Sequence, residues 1–402
     1  MKRIMLAACL VAAMTLAACA QQVGTSPRAH PSAHPARTRV VSAARPRSAQ
    51  RPAVAGIMDL VGPQTGVVGL YVPSGTGRSA HFVLTRNGGR TFRPFGPAAS
   101  NQDLPDSVFF LHGVRDGWLL SFPGGGGNDV VYRTRDGGRS WQQFTAPEHP
   151  LAAGSTDLVQ FVSATSGWMT DIQPTGPGET LLHSTDGGAT WQCVASAFAS
   201  YACPGTLPEL GPVRFERGGM IGWLGGGQFS TALYRTADGG RTWERMHIPA
   251  PRGAIFGLPA VFGRTIIETA TGGTGHAASL LTFVSHDNGA SWQRGSALDR
   301  PGTGDGCRAS ASFPSASSGW AAVIQAGHVA IYRRTAPMRP WRIVAELGRP
   351  PHARAECAEI QAAGSAHAWL QVASDGSIAI YATSDGGRSW HRIDQAAEAA
   401  GR

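Results

Sequence analysis

The chain has 402 residues, of which 42% are hydrophobic and 15% charged, and its 53 Gly and 27 Pro are a turn-rich composition that excludes a coiled coil or helical bundle. No apolar stretch beyond the N-terminus approaches the ~20 residues of a membrane-spanning helix. The formal net charge is +9, yet Lys2, Arg3, Arg28, Arg37, Arg39, Arg45, Arg47 and Arg51 all precede residue 53 and no acid does, so the remainder is nearly neutral and nucleic acid is not an expected partner.

Residues 1–18 carry a basic start, an apolar run and the ending Leu16-Ala17-Ala18 before Cys19, which together read as a lipoprotein signal peptide. Small residues suit the peptidase groove, and the Cys19 thiol is the nucleophile that accepts the diacylglycerol. Membrane attachment through Cys19, on the extracytoplasmic side, is therefore expected. Residues 19–52 hold the lipidated cysteine and a Pro/Ala/Arg-rich linker with too little apolar surface to offset ordering, so disorder is expected there. The six linker arginines suit an anionic lipid surface as well as they suit a plain spacer.

Residues 53–394 contain one unit copied seven times, followed by a tail over 395–402. The clearest copy is Tyr132-Arg-Thr-Arg-Asp136-Gly-Gly-Arg-Ser-Trp141, and closely similar segments surround Asp186, Asp238 and Asp385. Looser copies surround Asn87, which takes the Asp place, and Asp287; a decayed copy puts Ala336 there. The closing aromatics fall at Phe92, Trp141, Trp191, Trp243, Trp292, Trp341 and Trp390, a spacing of about 50 residues that marks a repeat architecture. Upstream of each, a Gly-Trp pair or variant recurs at Trp118, Trp168, Trp223, Trp320 and Trp369, with Gly69-Leu70 taken as the first copy and no clear member in the fifth. These positions account for all 11 tryptophans, so none is left to line a ligand site.

Each unit reads as four short strands, with Asp-Gly-Gly as the hairpin between the third and fourth. Seven such sheets predict an all-β, seven-bladed β-propeller of four-stranded antiparallel blades, in which radial closure leaves only short edges. Ser/Thr-x-Asp-x-Gly-x-x-Ser/Thr-Trp resembles the Asp-box, or BNR repeat, of sialidases, xyloglucanases and sortilin-type receptors. Joined to Gly-Trp in one seven-unit ring, it is most similar to the photosystem II stability/assembly factor-like family. The resemblance spans 53–394 and implies secreted or lipid-anchored members; it specifies architecture more than function.

After processing, Cys193, Cys203, Cys307 and Cys357 remain, and an even number in an exported chain predicts two disulfides. Repeat phase pairs 307 with 357 at the starts of adjacent inner strands, and leaves 193 with 203 in the one enlarged connection. The Asp-boxes and the first-to-second loops share one face. The Gly124–Asp129 loop, the insertion around Tyr201 and both disulfides belong to the other, where long loops suggest a ligand. The box face is the rival, because Arg90, Arg139, Arg241, Arg339 and Arg388 stand two residues before the boxed aromatic and form a possible basic binding ring.

Catalysis is not expected. The box aspartates Asp136, Asp186, Asp238, Asp287 and Asp385, with Asn87, are assigned to structure. A sialidase would need a Tyr nucleophile, and Tyr132, Tyr234, Tyr332 and Tyr381 repeat at one strand position, leaving Tyr71 and Tyr201. A glycosidase would draw on two free carboxylates; Asp157, Glu209, Asp305, Glu356 and Glu359 are the candidates. No cofactor or metal site is expected. The expected function is that of a monomeric, lipid-anchored, non-enzymatic module that binds a protein partner or assembles one at the membrane; the alternative is a cell-surface glycan binder or a sialidase- or xyloglucanase-like hydrolase.

Overall fold

The computed structural model describes residues 54–394 except 75–76, 98–106, 113–114, 122–129, 146–154, 173–178, 198–202, 209–212, 226–231, 273–278, 300–308, 326, 348–354 and 375–376. The signal segment, the linker and the tail 395–402 lie outside the described residues, as do Cys307, Glu209, Asp305, Tyr201 and the loop 124–129. The described chain is all β and forms seven sheets in sequence order, each one blade of a propeller. Blade one takes Val54–Leu60, Gly66–Ser74, Gly77–Thr85 and Arg93–Pro94 as its first to fourth strands, and blade seven takes Ala355–Ala362, Ala368–Ser374, Ser377–Thr383 and His391–Arg392. Every neighbouring pair in these two blades is antiparallel.

Two blades are larger than four strands. In blade three a short strand, Gly205–Thr206, runs parallel to the fourth, Gln192–Ser196, and the Cys193–Cys203 disulfide ties them with Cα atoms 5.4 Å apart. Cys193 thus sits on the fourth strand rather than in the connection. Blade five splits its first strand into Ile255–Phe256 and Ala260–Phe262 and adds Leu298–Asp299 at its outer side. Cys357 is buried on the first strand of blade seven, while the other half of the expected 307–357 bridge lies outside the described residues.

Register corrects the Gly-Trp assignments. Gly167 pairs with Ser184 and Trp168 with His183, and the same offset from the box recurs for Trp118 and Arg133, Trp223 and Arg235, Trp320 and Arg333, and Trp369 and Ala382. In blade one this offset selects Gly66 and Val67, which pair with Thr85 and Leu84, and not Gly69-Leu70. In blade five it selects Ile266 and Ile267, which pair with Ser285 and Val284 and are both 1% exposed. The hydrophobic position persists while the indole is lost, so counting back from the boxed aromatic misplaces the unit where the intervening loops change length.

The second-strand tryptophans face the following blade. Trp118 stacks on Phe161 of blade three with centroids 3.8 Å apart and donates through Nε1 to Gly187 O at 2.9 Å. Trp168 stacks on Phe215 of blade four at 4.1 Å, and Trp320 donates to Gly364 O of blade seven at 3.0 Å. Trp369 closes the circle by packing with Met58, Val68, Leu70 and Val83 of blade one. Glycine at the receiving site follows from this: a Cβ on Gly66 would stand 2.5 Å from Trp369 Cη2 and 2.9 Å from Asp59 O.

Among the described residues no strand is exchanged between the first and last blades, so closure there runs through these side chains. Gln361 Nε2 donates to Met58 O and Gln361 Oε1 accepts from Leu60 N, both at 3.0 Å. Gln160 makes the same two-way clasp from blade three to Phe215 of blade four, and Ser310 and Ser312 accept from Ile360 N and Ala362 N between blades six and seven. Gly66→Ala should therefore cost about 1–3 kcal/mol through overpacking of the closing seam. Gly62, with nothing within 4 Å of its Cβ position, is the control. Urea denaturation of both variants checks this: equal midpoints would show that the seam has slack at Trp369.

Candidate functional site

Each box is a turn that satisfies its own carboxylate. In blade four, Asp238 Oδ1 accepts from Thr236 Oγ1 at 2.8 Å, Arg241 N at 3.0 Å and Thr242 N at 2.9 Å, and Oδ2 accepts from Thr242 Oγ1 at 2.6 Å. Asp136, Asp186, Asp287 and Asp385 repeat the pattern with their own Ser or Thr partners. Burial raises the Asp238 pKa, but the four hydrogen bonds overcome it and hold the group at about 2. At Asn87 the amide substitutes by reversing one bond: Nδ2 donates to Thr91 Oγ1 at 2.8 Å while Oδ1 still accepts from Thr91 N. The glycines that follow adopt positive φ, as at Gly239 and Gly240 (76° and 96°), and blade five places Asn288 there at 63°.

The arginines beside these turns face solvent. Arg90, Arg139, Arg241, Arg339 and Arg388 are all exposed, on hairpins of blades one, two, four, six and seven that share one face. Arg86 and Arg135 at the same hairpins are exposed too. Their field reaches inward: beyond burial, Arg139 and Arg86 lower the pKa of Arg93, Arg241 lowers that of His183, and Arg388 lowers that of Arg333. The box carboxylates are ionised but hydrogen-bonded within their own turns, so the charged side chains that these hairpins extend into solvent are the arginines.

A second set of arginines, overlooked in the repeat, lies beneath the rim. Arg133, Arg235 and Arg333 follow a tyrosine on the third strand and lie over Trp118, Trp223 and Trp320 at 5.6, 5.8 and 4.6 Å from the ring centroids. Arg133 also donates to Asp186 O and Ala164 O of blade three, and Arg333 donates to Gly386 O of blade seven at 3.0 Å. The recurring Tyr-Arg dipeptide was the available signal. In the decayed sixth box, Arg334 takes over the turn. It is 3% exposed, donates to Pro337 O at 2.9 Å, and lies between the rings of Phe313 and Trp341 at 4.7 and 4.6 Å, with burial lowering its pKa to about 10.

Two carboxylates occupy the inner wall. Glu268 on the second strand of blade five is fully buried, and its Oε1 accepts from Gly257 N at 3.0 Å where the first strand is split. Burial raises its pKa well above the usual carboxylate range, opposed by backbone donors and by Arg214 of blade four. Glu359, one of the expected free carboxylates, lies on the first strand of blade seven; burial raises its pKa, opposed by Gln361 Nε2 at 3.2 Å. They sit on blades separated by blade six, so the structure does not bring them together as an adjacent pair. The side chains of Asp157 and Glu356 lie outside the description. Among the described residues, no group of three His, Cys, Asp or Glu is placed to hold a metal.

The family described as photosynthesis system II assembly factor YCF48 matches residues 101–255, less than half of the chain, and over that stretch the chain is similar to that family. No curated protein matches the sequence. Among solved structures, one from a study of two prolyl endopeptidases is 10% identical with a TM-score of 0.52, covering 85% of this chain and 49% of its own. The chain thus spans about half the length of that protein. The β-propeller domain of the Trilobed protease from Pyrococcus furiosus, described as having an open velcro topology, is 11% identical with a TM-score of 0.52 over 85% of this chain and 98% of its own. A GH74 xyloglucanase from Xanthomonas campestris is 15% identical, with a TM-score of 0.31 over 87% of this chain and 63% of its own. At these identities the likeness concerns the propeller fold alone.

The depressed box carboxylates give the protein an acid limit. A folded pKa of about 2 against an ordinary 3.8 means that the Asp238 contribution is complete above about pH 4 and is lost as pH falls toward 2. Asp238→Asn, which copies the Asn87 arrangement, should fold and lose part of that acid dependence. Thermal melting measured from neutral pH downward checks this, and a variant whose melting temperature falls as steeply as wild type would contradict it.

Proposed function

We propose that the protein is a lipid-anchored, extracytoplasmic propeller that binds an acidic protein surface at the membrane and performs no chemistry of its own. The observation that carries the reading is the box face, where the aspartates spend their oxygens on their own turns while Arg139, Arg241 and Arg388 stay exposed. Exposed guanidinium groups on a rigid ring offer bidentate donors to carboxylates without reorganisation of the fold. The similarity to an assembly-factor family supports a binding role, and the lipobox at Cys19 supports the location.

Combining Arg139→Glu, Arg241→Glu and Arg388→Glu should abolish salt-sensitive cross-linking to the partner on intact membranes while leaving the melting temperature within a few degrees of wild type. Undiminished cross-linking by the folded triple variant would sink the box-face reading. Attachment has its own test: Cys19→Ser should leave the precursor uncleaved or shift the protein into the aqueous phase of a detergent partition, whereas unchanged processing and partitioning would remove the anchor from the proposal.

A second reading, glycan binding or hydrolysis, draws on Glu359, whose burial favours the protonated form that a general acid needs. Release of new reducing ends from polysaccharides by the purified chain is the measurement that would bring this reading forward.

A further inference from the structure

The closing seam departs from its neighbours at one position. Wherever else a second-strand tryptophan faces the following blade, its partner on the third strand is a cationic or aromatic residue: Arg133 for Trp118, His183 for Trp168, Arg235 for Trp223 and Arg333 for Trp320. The three arginines lie over their rings, and His183 stacks on Trp168 with centroids 4.2 Å apart. In blade seven the partner of Trp369 is Ala382. A methyl group cannot reach the next blade.

Two of these arginines also bridge their seams. Arg133 donates to Asp186 O in the box and Ala164 O in the first-to-second loop of blade three, and Arg333 donates to Gly386 O in the box of blade seven. The loops of blades three and one match residue by residue, because Val162 N donates to Ser166 O and Gly187 N to Thr165 O in one, and Val61 N to Thr65 O and Gly88 N to Gln64 O in the other. Pro63 is therefore the counterpart of Ala164, Asn87 of Asp186, and Gly88 of Gly187 and Gly386. Among the described residues, none of these three carbonyls in blade one accepts a side-chain donor.

The corresponding place is open. A Cβ on Gly386 would stand 2.7 Å from Arg333 Nη1, whereas one on Gly88 would meet nothing nearer than Gln64 Oε1 at 3.4 Å and Pro63 O at 3.8 Å. A cleft of about 290 Å³, open to solvent, lies here, and Pro63, Gln64, Asn87, Gly88, Trp369 and His391 are among the residues that line it.

The geometry points to a guanidinium-binding site at the closing seam, which takes the side chain of an arginine from a partner protein where Arg133 and Arg333 supply the group from within. A planar fork of donors matches carbonyls arrayed around a slot, which a compact ammonium does not. The indole of Trp369 beside them adds an aromatic wall that favours a cation. Arg90 at the mouth does not bar the ligand: Arg388 holds the same box position near Arg333, and its field lowers the Arg333 pKa without breaking the bond to Gly386 O. Trp369, assigned from the sequence to the repeat alone, thus lines a ligand site as well. The site does not depend on the box-face arginines engaging an acidic surface, and a test on the purified chain with a small probe leaves that reading untouched.

N-acetyl-arginine amide, titrated into the purified full-length chain carrying isotope-labelled tryptophan, should shift the indole N–H resonance of Trp369 with a Kd on the order of 1 mM. The blocked lysine and citrulline analogues, which lack the plane and the charge respectively, should bind roughly ten-fold more weakly. Ala382→Arg should fill the slot from within, raise the melting temperature and abolish the response. No shift with the arginine probe at tens of millimolar overturns the proposal. An equal response to the lysine or citrulline analogue overturns it too, and that comparison is made on the wild type, whatever the variant does. If Ala382→Arg folds and still responds as wild type, the probe binds elsewhere and the assignment is wrong. A shift with acetate but none with the arginine probe would make the cleft an anion site built on Arg90, which also contradicts it.

Discussion

The seams of this propeller, with one exception, are organised by the docking of one blade's box onto the blade before it. The second glycine of the turn is where the surfaces meet: a Cβ on Gly188 would stand 3.2 Å from Val131, one on Gly289 3.4 Å from Trp223, and one on Gly387 3.0 Å from Trp320. Positive φ is needed at these glycines to reverse the chain, and absence of a side chain is needed to admit the neighbour. The aspartate then fixes the turn that carries them. The box is best understood as an interblade connector whose carboxylate serves the hairpin, which is why its conspicuous acid is chemically occupied.

The exception supports that account. Blade five lacks the second-strand tryptophan, with Ile267 in its place, and blade six lacks the box aspartate, with Ala336 in its place, so both partners of one docking contact are missing at the same seam. The contact is rebuilt from Leu280 and Leu298 of blade five against Ala321, Tyr332 and Trp341 of blade six. Arg334 fills the turn from within by lying between two aromatic rings. Freed from the box pattern, blade six carries the longest fourth strand among the described residues, Arg342–Leu347.

Around the inner wall, polar residues hold the ring where the sheet hydrogen bonds end. Gln160 and Gln361 each satisfy both an N–H and a C=O of the following blade, and Glu268 supplies an acceptor where the first strand of blade five is interrupted. Buried groups of this kind are costly unless paired, so their directional bonds set the angle between blades more tightly than apolar contact alone. Among the described residues no strand is exchanged at the last seam, where Gln361 and Trp369 join blade seven to blade one.

The sequence by itself determined the number of blades, the strand order, the hairpin at each box and the structural role of the aspartates, because these depend on local turn chemistry and on a spacing repeated seven times. It also identified the 193–203 disulfide and the exposed arginines, whose positions follow from the repeat phase. Only the tertiary structure decided what crosses between blades: Gly66 and Val67 at the first docking position, Arg133 and Arg333 beneath the tryptophans, Glu268 in the broken strand, and Arg334 in place of a box. Residues in such contacts lie about one repeat apart, and those at the closing seam, such as Gln361 and Met58, some 300 apart. No local pattern reports a contact of that range, because what selects the partner is the closure of the ring.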